Sequence, residues 1–70
     1  MNLDTNYLRR ISNMENPIFL DILDVRVKNQ IYHDYYSLRI SAQSLLKDPN
    51  NKETQRRLSE LIRKLDIKLN

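Results

Sequence analysis

Apolar residues Leu3, Tyr7, Leu8 and Ile11 recur every three or four positions at the start of the chain, the period of one face of an α-helix. They predict a short helix A over about residues 3–13, with Asn13 near its end as a stop. Asn16 and Pro17 then provide an N-cap residue and a proline suited to the first helical position. From Pro17 no further breaker occurs before about Lys47, so the pattern predicts one helix B, about 46 Å long. After the turn "KDPNN", Asn50 followed by Glu53 three residues on forms a capping-box variant. It opens a helix C over about 51–69, roughly 28 Å long. The connector is short enough to fold B and C into an antiparallel hairpin.

Helix B is apolar on two opposite sides. One side carries Leu20, Leu23, Val27, Ile31, Leu38, Ala42 and Leu45; the other carries Ile18, Ile22, Val25, Tyr32, Tyr36 and Ile40. Helix C has a single stripe, Leu58, Leu61, Ile62, Leu65 and Leu69, continued by Thr54. It covers one side of B, setting Leu45 near Thr54, Ala42 near Leu58, Leu38 near Leu61 and Ile31 near Leu69. Helix A, roughly 16 Å long, is the right length for the part of B that C does not reach. The fold class expected is all-α: one domain over 1–70, a short helix, a long helix and an antiparallel partner helix, completed as a bundle by oligomerisation. The second side of B, residues Ile18, Ile22, Val25, Tyr32, Tyr36 and Ile40, is the expected partner interface, facing a second copy or another helical protein. In the competing arrangement helix A folds over Tyr32 and Tyr36 and makes them ordinary core.

Composition narrows the function. Among 70 residues there is no glycine and no cysteine, and there is one histidine. Disulfides and thiolate metal sites are excluded, and one histidine without suitable partners makes no zinc site. A phosphate-cradling loop of the usual kind needs glycine. With no cysteine nucleophile and no serine–histidine–acid constellation, a non-enzymatic protein without metal or cofactor is expected. No apolar run approaches the length of a membrane span and the N-terminus has no signal-peptide pattern, so no membrane association and a cytoplasmic location are expected.

"IYHDYYSLRI" gathers three tyrosines, His33 and Asp34 into five consecutive positions. Tyrosine suits interfaces because its ring buries a large rigid surface while its hydroxyl stays wet. Asp34 falls between the apolar Ile31 and Leu38, and a buried carboxylate needs a partner. The antiparallel register offers Lys64 or Lys68.

"HDYYSL" resembles the long helix of histidine-kinase dimerisation and phosphotransfer hairpins, which would imply a phospho-accepting role for His33. Ser37 and Leu38 stand where that family commonly has a polar amide. "LLKDPNNKETQRRLSEL" is similar to the helix–turn–helix of type III secretion needle subunits and their small helical partners, a likeness confined to the hairpin around the turn.

The net charge of +3 lies entirely in residues 51–70, where six basic residues face three acidic ones; residues 1–50 balance six against six. Arg56, Arg57, Arg63, Lys64 and Lys68 are therefore candidate nucleic-acid contacts. The expected function is a small helical protein–protein interaction module, a regulator, adaptor, chaperone or assembly subunit. The alternative is a small basic DNA- or RNA-binding regulator using the cationic strip of helix C.

Overall fold

A computed structural model describes residues 3–68 and, within them, every side chain except those of Leu20 and Asp21. It is all-helical, in the order α1 (Thr5–Ser12), a 3₁₀ turn (Ile18–Ile22), α2 (Val25–Lys47) and α3 (Lys52–Leu65). Helix α1 packs against α2, and α2 packs against α3.

Each helix starts on a side-chain cap, which satisfies backbone N–H groups that the helix itself leaves without acceptors. Asp4 Oδ1 accepts from the Tyr7 N–H at 2.8 Å, Asp24 Oδ1 from Arg26 at 2.9 Å and Asn51 Oδ1 from Thr54 at 3.1 Å. The cap of α3 is thus Asn51, one residue after the expected Asn50.

The single helix expected over 17–47 is divided. Asn16, the expected cap, has its side-chain oxygen engaged by Arg39 Nη1 at 2.8 Å. Asp24 takes over as N-cap, and α2 is 23 residues long, about 34 Å. Aspartate gains more from bonding a free backbone N–H at a helix start than from lying inside a helix, so capping at Asp24 competes with continuation. Residues Ile18–Ile22 are left as a short 3₁₀ turn, the form such connectors commonly take.

Helix α3 also ends earlier than residue 69, which itself lies outside the described residues. Asp66 adopts φ 53°, ψ 47°, the left-handed conformation that closes helices, in a chain that has no glycine for the position. The Ile67 N–H then bonds back to the Ile62 carbonyl at 3.0 Å, and Ile67 packs against the core. This is the Schellman arrangement, with its usual hydrophobic contact.

The core is one cluster of Leu8 and Ile11 from α1, Tyr35, Leu38, Ala42 and Leu45 from α2, and Leu58 and Ile62 from α3. Ile11, Leu38, Leu45 and Leu58 are fully enclosed, each worth about 1.5–3 kcal/mol relative to exposure. Both neighbours of α2 run antiparallel to it. Leu3, Asp4 and Thr5 at the start of α1 share a depression with Leu45, Leu46 and Pro49, while Met14 beyond its end meets Arg39. At the far end of the hairpin, Lys64 of α3 meets Asp34 of α2.

Every buried residue of α2 lies at or beyond Asp34. None of its first nine residues, 25–33, is fully buried, although Ile31 still packs against the core. Val27, expected on the inner side, is 48% exposed, and Ile31 is only partly buried. The expected contact of Ile31 with Leu69 lies outside the described residues, as do the side chain of Leu20 and its place in the stripe.

Candidate functional site

Buried positions Asp34, Tyr35, Leu38, Ser41, Ala42 and Leu45 form a stripe about 120° wide on α2, leaving its other side without cover. On that side Val25 is 63%, Tyr36 59% and Ile40 43% exposed, while Tyr32 is half-buried. In the preceding 3₁₀ turn Ile18 is 89%, Ile22 85% and Phe19 54% exposed. Of the six expected interface residues, helical spacing places Val25, Tyr32, Tyr36 and Ile40 on one side of α2, and the break before Asp24 puts Ile18 and Ile22 on a separate turn. Phe19 and Val27 join the exposed set without having been expected there. Val27 was legible only from where α3 stops, and Phe19 carries no periodic signal of its own.

Helix α1 does not close this side. It lies against the flank where Arg39 Nη1 reaches the Met14 carbonyl at 3.5 Å and Asn16 Oδ1 at 2.8 Å. Leu8 and Ile11 enter the same cluster as Tyr35, Leu38 and Ala42. Tyr36 and Ile40 stay outside. Single exposed apolar residues are ordinary, whereas several large ones gathered on one side of a helix are uncommon.

The five consecutive residues from Tyr32 to Tyr36 divide their duties. Tyr35 is buried, and burial pushes its phenol above the usual tyrosine range. Asp34 is buried as well, and its Oδ2 receives Lys64 Nζ at 3.0 Å, the pairing expected of it. Lys68 is instead 3.7 Å from Asp66, both at the surface. His33 is exposed at the rim of a depression of about 330 Å³, lined also by Asp34, Ser37, Arg57, Glu60, Leu61 and Lys64. With Asp34 committed to Lys64, the chemistry of this hollow is that of a structural ion pair at the end of the hairpin.

The candidate nucleic-acid contacts do not form one strip. Arg57 is 3.7 Å from Glu53, Lys64 is held by Asp34 and Lys68 by Asp66. Helical spacing sets Lys52, Arg56 and Arg63 on one flank of α3 and Arg57 and Lys64 on the other, with Glu53 and Glu60 between them. Among the described residues no group of three or more acidic or histidine side chains is placed to hold a metal ion, and no helix is long and apolar enough to cross a membrane.

In comparisons with known proteins, no family model, no curated protein and no solved structure matches the chain.

Proposed function

We propose that this protein is a small non-enzymatic helical interaction module, acting through the outer side of α2 and the 3₁₀ turn before it. One observation carries the reading: Ile18, Phe19, Ile22, Val25, Tyr36 and Ile40, all large and apolar, stay exposed while a complete core forms behind them. Removing such side chains from water is worth about 25 cal/mol per Å², so a partner helix laid on this side gains most of its affinity there. The three-helix core gives the rigid backing that a binding surface needs.

Nucleic-acid binding through Lys52, Arg56 and Arg63 is the weaker reading, because the other candidate cations are neutralised by carboxylates and acidic residues split the surface.

The test is site-specific photo-crosslinking in cells, with benzoylphenylalanine in place of Tyr36 and, separately, of Arg56. Protein adducts concentrated at position 36 support the interaction surface. Adducts only at position 56, or at neither, overturn it.

A further inference from the structure

Helices α1 and α3 are built alike. Each opens on a side chain that accepts from the third N–H along, Asp4 from Tyr7 and Asn51 from Thr54. Each then carries two arginines followed by a fully enclosed aliphatic, Arg9, Arg10 and Ile11 on one, Arg56, Arg57 and Leu58 on the other, at the same step from the cap. Both run antiparallel to α2 and start at the same end of it, so they are parallel to each other. Arg10 and Arg56 therefore stand at about the same level along the bundle.

What each helix buries sets its rotation. Leu8 and Ile11 face inward on α1, and Leu58 and Ile62 on α3. The flank of α3 that carries Arg57 and Lys64 is turned to His33, Asp34 and Ser37 of α2. The flank of α1 that carries Thr5 and Arg9 is turned to Leu46 and Pro49. The remaining flanks, with Tyr7 and Arg10 on α1 and Lys52, Arg56 and Arg63 on α3, are thus turned toward each other on the face of the bundle away from α2. The three cations of α3 fall within about 40° of one line and span about 17 Å.

All four cations are exposed, and among the described residues none lies within ion-pair distance of a carboxylate. The acidic residues that divide α3 border this face without entering it. Glu53 is drawn to Arg57 on the far flank, and Glu60 stands at the outer edge. Glu15 and Asp66 lie beyond the ends of α1 and α3.

We infer that this face binds single-stranded nucleic acid, with phosphates along Arg10, Lys52, Arg56 and Arg63 and a base against Tyr7. On α3 alone the row is three cations long; Arg10 adds a fourth and gives the furrow between the helices its second bank. Such a row attracts a polyanion, and shape selects the single strand. A major groove about 12 Å wide admits one helix about 10–12 Å across, whereas this face is two helices wide. Single-strand sites join a cationic track to an aromatic platform, and Tyr7, half-buried on the wall of the furrow, supplies one. The face lies opposite the exposed side of α2, so the inference stands apart from the interaction surface proposed there, and both can be occupied at once.

The probe is fluorescein-labelled oligothymidylate about 15 nucleotides long, within the usual site sizes, followed by fluorescence anisotropy. With four phosphates neutralised, log Kd against log salt is expected to rise with a slope of about 3, so that affinity falls about 50-fold between about 50 and about 200 mM salt. Arg10→Gln and Arg56→Gln, both outside the core, are each expected to weaken binding several-fold and to lower the slope by about 0.7. Arg57→Gln, on the far flank, is expected to leave both nearly unchanged. Tyr7→Leu, which keeps an apolar contact with the core, is expected to weaken binding at the same slope. Absence of binding at about 50 mM salt overturns the inference, as does a loss in Arg57→Gln equal to that in Arg10→Gln. A duplex bound more tightly than the single strand overturns the choice of strand. Polyglutamate of equal charge that displaces the probe as readily as unlabelled oligothymidylate overturns nucleic acid as the occupant.

Discussion

Arg39 on α2 donates from Nη1 to the side-chain oxygen of Asn16 at 2.8 Å, across 23 residues of sequence. The same nitrogen reaches the Met14 carbonyl at 3.5 Å. This one guanidinium ties the linker after α1 to the side of α2 and keeps Asn16 from capping the residues that follow it. Replacing Arg39 by methionine retains most of the apolar stem and removes the donors. The expected cost is modest, about 1 kcal/mol in urea unfolding, because both bonds lie at or near the surface. The informative readout is local: NMR chemical shifts of residues 18–24 should move toward α-helical values once Asn16 is released. Unchanged shifts would show that Asp24 alone sets where α2 begins.

The start of α3 distinguishes two adjacent asparagines. Asn51 accepts from the Thr54 N–H at 3.1 Å, whereas Asn50 is exposed in the turn and caps nothing. Asn51→Ala should cost about 1 kcal/mol, within the range measured for such caps, and Asn50→Ala a few tenths at most. Equal effects, measured by the urea midpoint, would place the cap elsewhere.

Asp66 closes α3 at φ 53°, a conformation that Cβ makes costly for every residue but glycine, with asparagine and aspartate the best tolerated. Its ion pair with Lys68 is 3.7 Å long and fully at the surface, so it adds little. Asp66→Gly should therefore stabilise the fold, by up to about 1 kcal/mol, although glycine is usually a destabilising choice near a helix. A fall in the thermal midpoint would mean that the carboxylate matters more than the backbone.

Much of the architecture is written in local spacing. Leu38, Ala42 and Leu45 on α2 and Leu58 and Ile62 on α3 repeat with the helical period, and the turn at Asp48–Asn51 is too short for anything but a hairpin. What escapes such a reading depends on residues distant in sequence. Asn16 and Pro17 make a strong helix start, and only the presence of Arg39 across the fold shows why α2 opens at Asp24 instead. Tyr35 and Ser41 lie between the two apolar sides of helix B and are buried because α1 and α3 together enclose a stripe wider than either would alone. Val27 has the right period for the core, yet α3 ends before reaching it. At the candidate site, Val25, Tyr36 and Ile40 were legible as a second face of the helix, whereas Ile18 and Ile22, read on that same face, stand on the separate 3₁₀ turn, and Phe19 was not legible, since exposure in such a turn has no periodic signature.

Asp34 and Lys64 fix the far end of the hairpin at 3.0 Å. The carboxylate is almost enclosed, with 10% of its side chain exposed, while the lysine is 57% exposed. Removing the lysine is therefore the harsher change, because it leaves a buried charge with no counterpart. Lys64→Met should cost about 1–2 kcal/mol, below the 3–5 kcal/mol of a fully buried pair since water still reaches the lysine side. In a double-mutant cycle with Asp34→Asn, most of that loss should disappear when both changes are made together. Additive losses would show that the two side chains meet without stabilising each other.

Tyr35 makes the fold sensitive to alkali. Burial raises its phenol above the ordinary value of 10.0, because the ring packs against the core and the charged form loses part of its hydration. Below that value both the folded and the unfolded chain hold the proton, so the contribution of the buried neutral ring is fully present. As pH rises through about 10, the unfolded chain gives up its proton first and the folded one retains it, so the unfolded state binds fewer protons and stability declines. The decline continues until the folded phenol itself ionises. Tyr35→Phe removes this linkage and keeps the ring. The hydroxyl is not among any buried, unpaired polar atoms of the described residues and keeps contact with water, so the variant should match the parent near neutral pH to within about 1 kcal/mol. Thermal midpoints taken from about pH 8 to about pH 11 should then fall more steeply for the parent than for Tyr35→Phe. Tyr36→Phe, at a residue 59% exposed, serves as the control and should leave the parent's slope unchanged. Parallel curves for all three chains would mean that the phenol of Tyr35 ionises in the folded protein as readily as in the unfolded one.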